Sequence, residues 1–273
     1  MIMSIFFLCG TIIGSFLSVC IYRIPKDERL ITKVSRCTHC NQKIKYYDLM
    51  PIFSYLLLKG RCRCCKEKIS FRYPTVEILN GILYAVVYSV YSFSFISVIL
   101  CLFFSALIIL SYIDLDHMLV PDVINVFILI LALFAIVLGD RPLIDHITGA
   151  LVISLPMAIL AYATKGFGSG DVILYFTSGL LVGFTTVSFS FVLACIIGSV
   201  SGIFMIATKK ITRKQETPFV PSIAIGLIVS VLYGDIIIQW YTAFIWNMGF
   251  TLISPERVYL LVVLRHLKPL ALY

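Results

Sequence analysis

The chain has 273 residues, 60% of them hydrophobic and 13% charged, with a mean hydropathy of +1.01. Ordinary soluble domains are about 45–50% apolar and about 25% charged; that class is excluded, and the long unbroken apolar runs exclude the alternating strands of a membrane β-barrel. The net charge of +8 is no sign of a nucleic-acid partner, because 13 of the 22 basic residues lie between Arg23 and Arg72 and five more are Lys165, Lys209, Lys210, Arg213 and Lys214, the loop pattern of the positive-inside rule.

A helix needs about 20 apolar residues to span a bilayer. Eight such runs are read, at about 2–21, 76–92, 95–113, 123–139, 147–164, 172–188, 190–208 and 219–240. The fold class is therefore an all-α polytopic membrane protein with about eight transmembrane helices and a small cytoplasmic zinc-binding loop domain between the first two. The chain divides into four units: a first transmembrane helix (1–21), a four-cysteine zinc-type loop domain (22–75), a transmembrane domain (76–246) and a C-terminal tail (247–273).

The first run lacks a basic leader and a small-residue cleavage pattern, so it is expected to stay as a span rather than be removed as a signal peptide. Its Gly10 and Gly14 suggest close helix packing. No internal repeat and no low-complexity tract stands out.

The loop at 22–75 carries Cys37-Thr38-His39-Cys40 and, after 21 intervening residues, Cys62-Arg63-Cys64-Cys65. Two C-x-x-C pairs at this spacing match a four-thiolate zinc site, Cys37, Cys40, Cys62 and Cys65. Cytosolic disulfides are disfavoured, and a small loop without a large core needs such a staple. Four thiolates leave no position for water, so the zinc is expected to be structural. Cys64 is spare, and Cys9, Cys20, Cys101 and Cys195 read as packing residues.

Placing that loop in the cytoplasm brings the third, fifth and seventh runs back to the same side. All 18 clustered basic residues then share one face, and the outer connection near 139–146 carries Arg141 against Asp140 and Asp145. The tail falls outside, with Arg257, Arg265 and Lys268, and its run 258–264 is too short to span but can lie in the interface.

Ionisable groups in spans are costly and default to functional candidates. Asp114-Leu115-Asp116-His117 sits at the inner end of the third run and Gly168-Ser169-Gly170-Asp171 at the inner start of the sixth. Two carboxylates meeting in a partly apolar site cannot both ionise easily; one keeps a proton and acts as acid, the other as base toward water. That is the arrangement for aspartic peptide hydrolysis. Gly168 and Gly170 let a substrate backbone approach, and Pro121 stops the helix from continuing. Structural roles stand beside these: Asp114 and Asp116 as solvated loop residues, Asp171 as an N-cap. Asp122 is expected to cap the fourth run, His117 to lie in the loop, and Glu77 to be a cap-region acid or a site residue.

At this point the residues resemble a known family, the prepilin peptidases, which are type IV leader peptidases of the GxGD aspartic class. The resemblance rests on Gly14-Ser15-Phe16-Leu17-Ser18-Val19-Cys20-Ile21-Tyr22-Arg23-Ile24-Pro25 and on Asp48 to Tyr55 between the cysteine pairs. It continues through Arg72-Tyr73-Pro74-Thr75-Val76-Glu77, Asp114 seven residues before Pro121, GSGD at 168–171, and Pro218-Phe219-Val220-Pro221 with Gly226 beyond. It covers about residues 10–240, and the overall look is that of competence-type peptidases of Gram-positive bacteria. It implies cleavage of the leader from type IV pilin-like precursors at the cytoplasmic face of the cell membrane. Asp114 and Asp171 would be the catalytic pair, with Asp116 as a neighbour that can tune it. It also implies a possible S-adenosylmethionine-dependent N-methylation of the new N-terminus. The family often has a lysine two residues after the second aspartate, where this chain has Ile173.

The competing class is a membrane transporter or channel with a zinc-bound cytosolic regulatory loop. Such proteins more often place their acids near mid-membrane, whereas both sites here lie at inner ends. A scaffold that recruits partners through the zinc loop leaves both aspartates unexplained.

Overall fold

A computed structural model describes residues 1–30, 35–37, 39–164, 168–208 and 217–247. Arg257, Arg265, Lys268 and the rest of the tail after Asn247 lie outside the described residues, as do Lys165 and the basic stretch from Lys209 to Lys214. The described residues form nine α-helices and no strand: α1 (Ile2–Arg23), α2 (Phe53–Leu57), α3 (Arg72–Tyr91), α4 (Phe95–His117), α5 (Asp122–Leu138), α6 (Leu143–Thr164), α7 (Ser169–Val182), α8 (Phe184–Ala207) and α9 (Val220–Asn247).

The eight long helices answer one for one to the eight apolar runs. Five (α1, α4, α6, α8 and α9) are long and apolar enough to cross a membrane, and α5 and α7 are shorter apolar helices. One junction differs. The sixth run extends to about residue 188, but α7 stops at Val182 and α8 starts at Phe184. Gly183 between them has φ +82, a conformation glycine adopts without strain. Hydrophobicity runs straight through this break, so apolar pattern alone cannot mark it.

Glycines set the closest helix contacts. A Cβ on Gly14 would meet Glu77 Cα at 2.7 Å, and one on Gly10 would meet Gly81 Cα at 2.8 Å, so α1 and α3 form an antiparallel hairpin with the cysteine loop at its tip. A Cβ on Gly149 would meet Gly179 O at 2.5 Å, which locks α6 antiparallel to α7. α5 and α7 pack together from a shared start, where Val120 meets Gly170, and so run in the same direction. A buried polar seam ties the first hairpin to α4: Asn80 donates to Gly10 O at 2.8 Å, and Ser105 donates to Asn80 Oδ1 at 2.9 Å. Within the membrane such bonds satisfy groups that lipid cannot.

α4 is the central element. Of its most apolar stretch 72% is buried inside the protein, against 11% for peripheral α8. Phe103, Phe104, Leu107, Leu110 and Ile113 are fully enclosed. A polar residue placed next on that face of α4 is carried into the protein interior.

Candidate functional site

Asp114 occupies that place. It lies one turn before the end of α4 and is 6% exposed. Its Oδ2 accepts the N–H of Val220 at 3.0 Å, and it also accepts a bond from the Phe219 backbone. They belong to the first turn of α9, whose N–H groups have no partner within the helix and where the helix end favours an anion. Pro221 next to them has no N–H to leave unpaired, so the Pro-Phe-Val-Pro segment presents its two remaining donors to Asp114.

Asp171 is the third residue of α7. The N-cap is Gly168, and no side chain among the described residues caps this helix. The capping role is thus not what the structure shows for Asp171, nor for Asp122, the first residue of α5 behind Pro121. A Cβ on Gly170 would stand 2.5 Å from Val120 Cβ, so the segment leaving α4 rests directly on the first turn of α7. A Cβ on Gly168 would be in ordinary contact with Asp171 Oδ2, at 3.6 Å; its absence leaves that side of the carboxylate open. The carboxylates of Asp114 and Asp171 interact electrostatically. The end of α4 and the starts of α7 and α9 thus converge on two acids.

Asp116 is directed elsewhere. It is exposed and pairs with Arg72 Nη1 at 2.6 Å. Arg72 also donates to Tyr112 O at 3.3 Å and lies over the Tyr112 ring. His117 is the last residue of α4 rather than a loop residue. Glu77 joins three elements: it accepts the Ile52 N–H at 2.8 Å and a bond from Ser15 of α1. Ile52 has φ +62, a strained setting for a β-branched residue. Glu77 therefore holds the cysteine loop onto the α1–α3 hairpin.

The Sγ atoms of Cys37, Cys40, Cys62 and Cys65 all lie within 4.8 Å of one another, with Cys37 and Cys65 at 3.9 Å. A tetrahedral zinc with Zn–S bonds of about 2.3 Å separates its sulfurs by about 3.8 Å, so this cluster can hold a metal ion. Backbone N–H groups of Gln42 and Glu67 bond to Cys40 and Cys65. Cys64 is exposed and outside the cluster.

The described residues of the two halves of this centre repeat one hydrogen-bonding pattern. Isolated bridges join Arg36 to Lys43 and Arg61 to Lys68. Cys37 N donates to Gln42 O and Cys62 N to Glu67 O, at 3.0 and 2.8 Å, while Ile44 N donates to Ser35 O and Ile69 N to Gly60 O, at 3.0 and 2.7 Å. Asn41 and Lys66 both take positive φ, 58 and 61. The sequences SRCTHCNQKI and GRCRCCKEKI (35–44 and 60–69) show the match. This duplication corrects the expectation of no internal repeat; ten residues are too few to stand out by eye. Arg63 of the second half makes a two-pronged pair with Asp48 of the connecting segment, 2.6 and 2.9 Å, and holds its carboxyl below the usual carboxylate range.

A cavity of about 1040 Å³ lies between the loop and the α1–α3 hairpin, bordered by Ser15, Ser18, Tyr22, Asp48, Arg63 and Glu77. A smaller one of about 340 Å³ shares Ser18, Tyr22 and Tyr73 with it and reaches Asp116 and His117. Spacing alone does not point to Arg72, the α9 donors or the role of Glu77 as a tie, because each acts on a residue far away in sequence.

Residues 8–91 match the bacterial peptidase A24 N-terminal domain, and residues 101–203 match the type IV leader peptidase family. The prepilin leader peptidase/N-methyltransferase of Bacillus subtilis is 33% identical, over 88% of this chain and 97% of that protein. The protein of the same name from Aeromonas salmonicida is 33% identical, over 87% and 93%. A type 4 prepilin-like proteins leader peptide-processing enzyme of Escherichia coli is 34% identical, over 81% and 90%. No solved structure matches.

Proposed function

We propose that this chain, which belongs to the type IV leader peptidase family, is a multi-pass membrane aspartic endopeptidase that removes the leader from type IV pilin-like precursors, with Asp114 and Asp171 as its hydrolytic pair. The observation that carries the assignment of the pair is the meeting of one buried acid at the end of α4 with a second at the start of α7. The names of the relatives favour hydrolysis over the transporter reading.

The precursor's leader approaches from the cytoplasmic face and its apolar segment lies against the helices and surrounding lipid. Water between the two aspartates attacks the scissile carbonyl as one carboxylate takes its proton. The protonated partner hydrogen-bonds the developing oxyanion. Proton transfer to the nitrogen then releases the new N-terminal amine. The titration belongs to the pair as a unit. Asp116, tied to Arg72, stays outside this step.

The metal of the cysteine cluster is assigned as zinc with a structural role, since four thiolates close its coordination. Methyl transfer to the new amine is the second activity, after the relatives' names. S-adenosylmethionine supplies the methyl group when bound. The loop cavity is of the size that takes small ligands, about 300–1,000 Å³, and Ser15, Tyr22 and Asp48 border it. It adjoins the smaller cavity that reaches the end of α4.

Co-expression with a pilin-like precursor tests the reading. Shortening of the precursor to a new N-terminus is expected. An intact precursor, with the protein present in the membrane and several leaders tried, would overturn it.

A further inference from the structure

We propose that Asn125 is a substrate-binding residue that pairs with the backbone of the unwound precursor beside the scissile bond; this rests on the hydrolytic reading above. Asn125 is 2% exposed, on the buried face of α5 with Ile124 and Ile128. Neither its Nδ2 nor its Oδ1 has a partner among the described residues. Leaving a buried amide unmade costs about 1–3 kcal/mol, and an apolar residue of similar shape avoids that cost. A buried amide so placed calls for a partner.

Its position says what arrives. α5 and α7 pack together and run in the same direction, and they start from the point where Val120 rests on Gly170. Asn125 is three residues beyond Asp122 at the start of α5. It therefore lies level with the first turns of α7, where Asp171 and Tyr175 are. Tyr175 Oη is a second buried atom without a partner among the described residues, and Tyr175 interacts electrostatically with Asp171. His146 Nε2 is also unpartnered, but its ring is bonded to Leu180 O near the opposite end of α7.

Peptide hydrolysis in the membrane needs a carbonyl freed from its helix. Unwinding strands a backbone N–H and C=O in a medium that cannot pair them. A primary amide presents two donors and one acceptor, the complement of one peptide unit. Asn125 can accept from the freed N–H and donate to the freed C=O. This recognition reads backbone and not side chains, so it serves precursors of differing sequence.

The test compares purified wild type with Asn125→Leu and Asn125→Thr on one precursor, measuring kcat, KM and melting temperature. Expected for Asn125→Leu is a loss of tenfold or more in kcat/KM, mainly through KM, with a melting temperature equal to or above wild type. Asn125→Thr, which keeps a donor and an acceptor, recovers part of the loss. Wild-type kcat/KM in Asn125→Leu overturns the proposal. So does a loss that tracks a lowered melting temperature and is not recovered by threonine. A wild type that cleaves no precursor defeats the hydrolytic reading instead, which separates the two failures.

Discussion

Asp114 and Asp116 are two positions apart, yet the structure gives them opposite surroundings. A helix turns about 100° per residue, so two residues separate their side chains by about 200°. The apolar pattern ends the third run at about 113, which leaves both acids in a loop. α4 continues to His117, and that one extra turn buries the first acid and exposes the second. The Arg72–Asp116 pair has side chains 35% and 38% exposed; pairs of this kind contribute about 0–1 kcal/mol. Asp116→Asn should therefore keep most of the cleavage activity and shift stability by no more than about 1 kcal/mol. A precursor assay beside a melting curve checks both, and complete loss of cleavage would place Asp116 in the site. Glu77 contrasts with it, because it supports a strained loop residue. Glu77→Leu leaves the Ile52 N–H without its acceptor and should raise protease sensitivity in residues 45–70; unchanged digestion would refute the tie.

At the scale of elements, the cysteine loop was legible because its chemistry needs only local spacing. Its duplication was in the letters as well, in two arginines, two lysines and two isoleucines at matching places. It became plain only through the shared hydrogen bonds and left-handed residues. If the metal is structural, one zinc per chain should copurify. Cys40→Ser or strong chelation should release it and open the loop to protease while the membrane helices remain, because structural zinc supplies folding energy. A metal-free loop that resists protease equally well would contradict this. The helix contacts were less legible. Gly10 and Gly14 announced a close approach without naming its partner, and nothing in the spacing of Gly149 and Gly179 marked their contact. Substituting Gly149 with Val forces α6 and α7 apart. Overpacking of this sort costs about 1–3 kcal/mol, and the expected readout is a lower melting temperature with reduced cleavage.

Across the whole molecule, the eight helical runs were visible because a membrane span must be continuous, apolar and helical. The break at Gly183 was not, since both sides of it are equally apolar. Nor could spacing show that residues 114, 171 and 219–220 meet, because that depends on α4 lying at the centre and on α7 and α9 starting beside its end. The resemblance carried those positions in order along the chain; the packing gives them a common place. The central claim is that Asp114 and Asp171 act as one hydrolytic unit. Its most direct test is cleavage of a single precursor by purified wild type, Asp114→Asn, Asp171→Asn and the double variant. All four should melt alike, and the two single variants should each lose activity as completely as the double. A single variant that retains a substantial fraction of wild-type turnover would show that the two aspartates do not work as a pair.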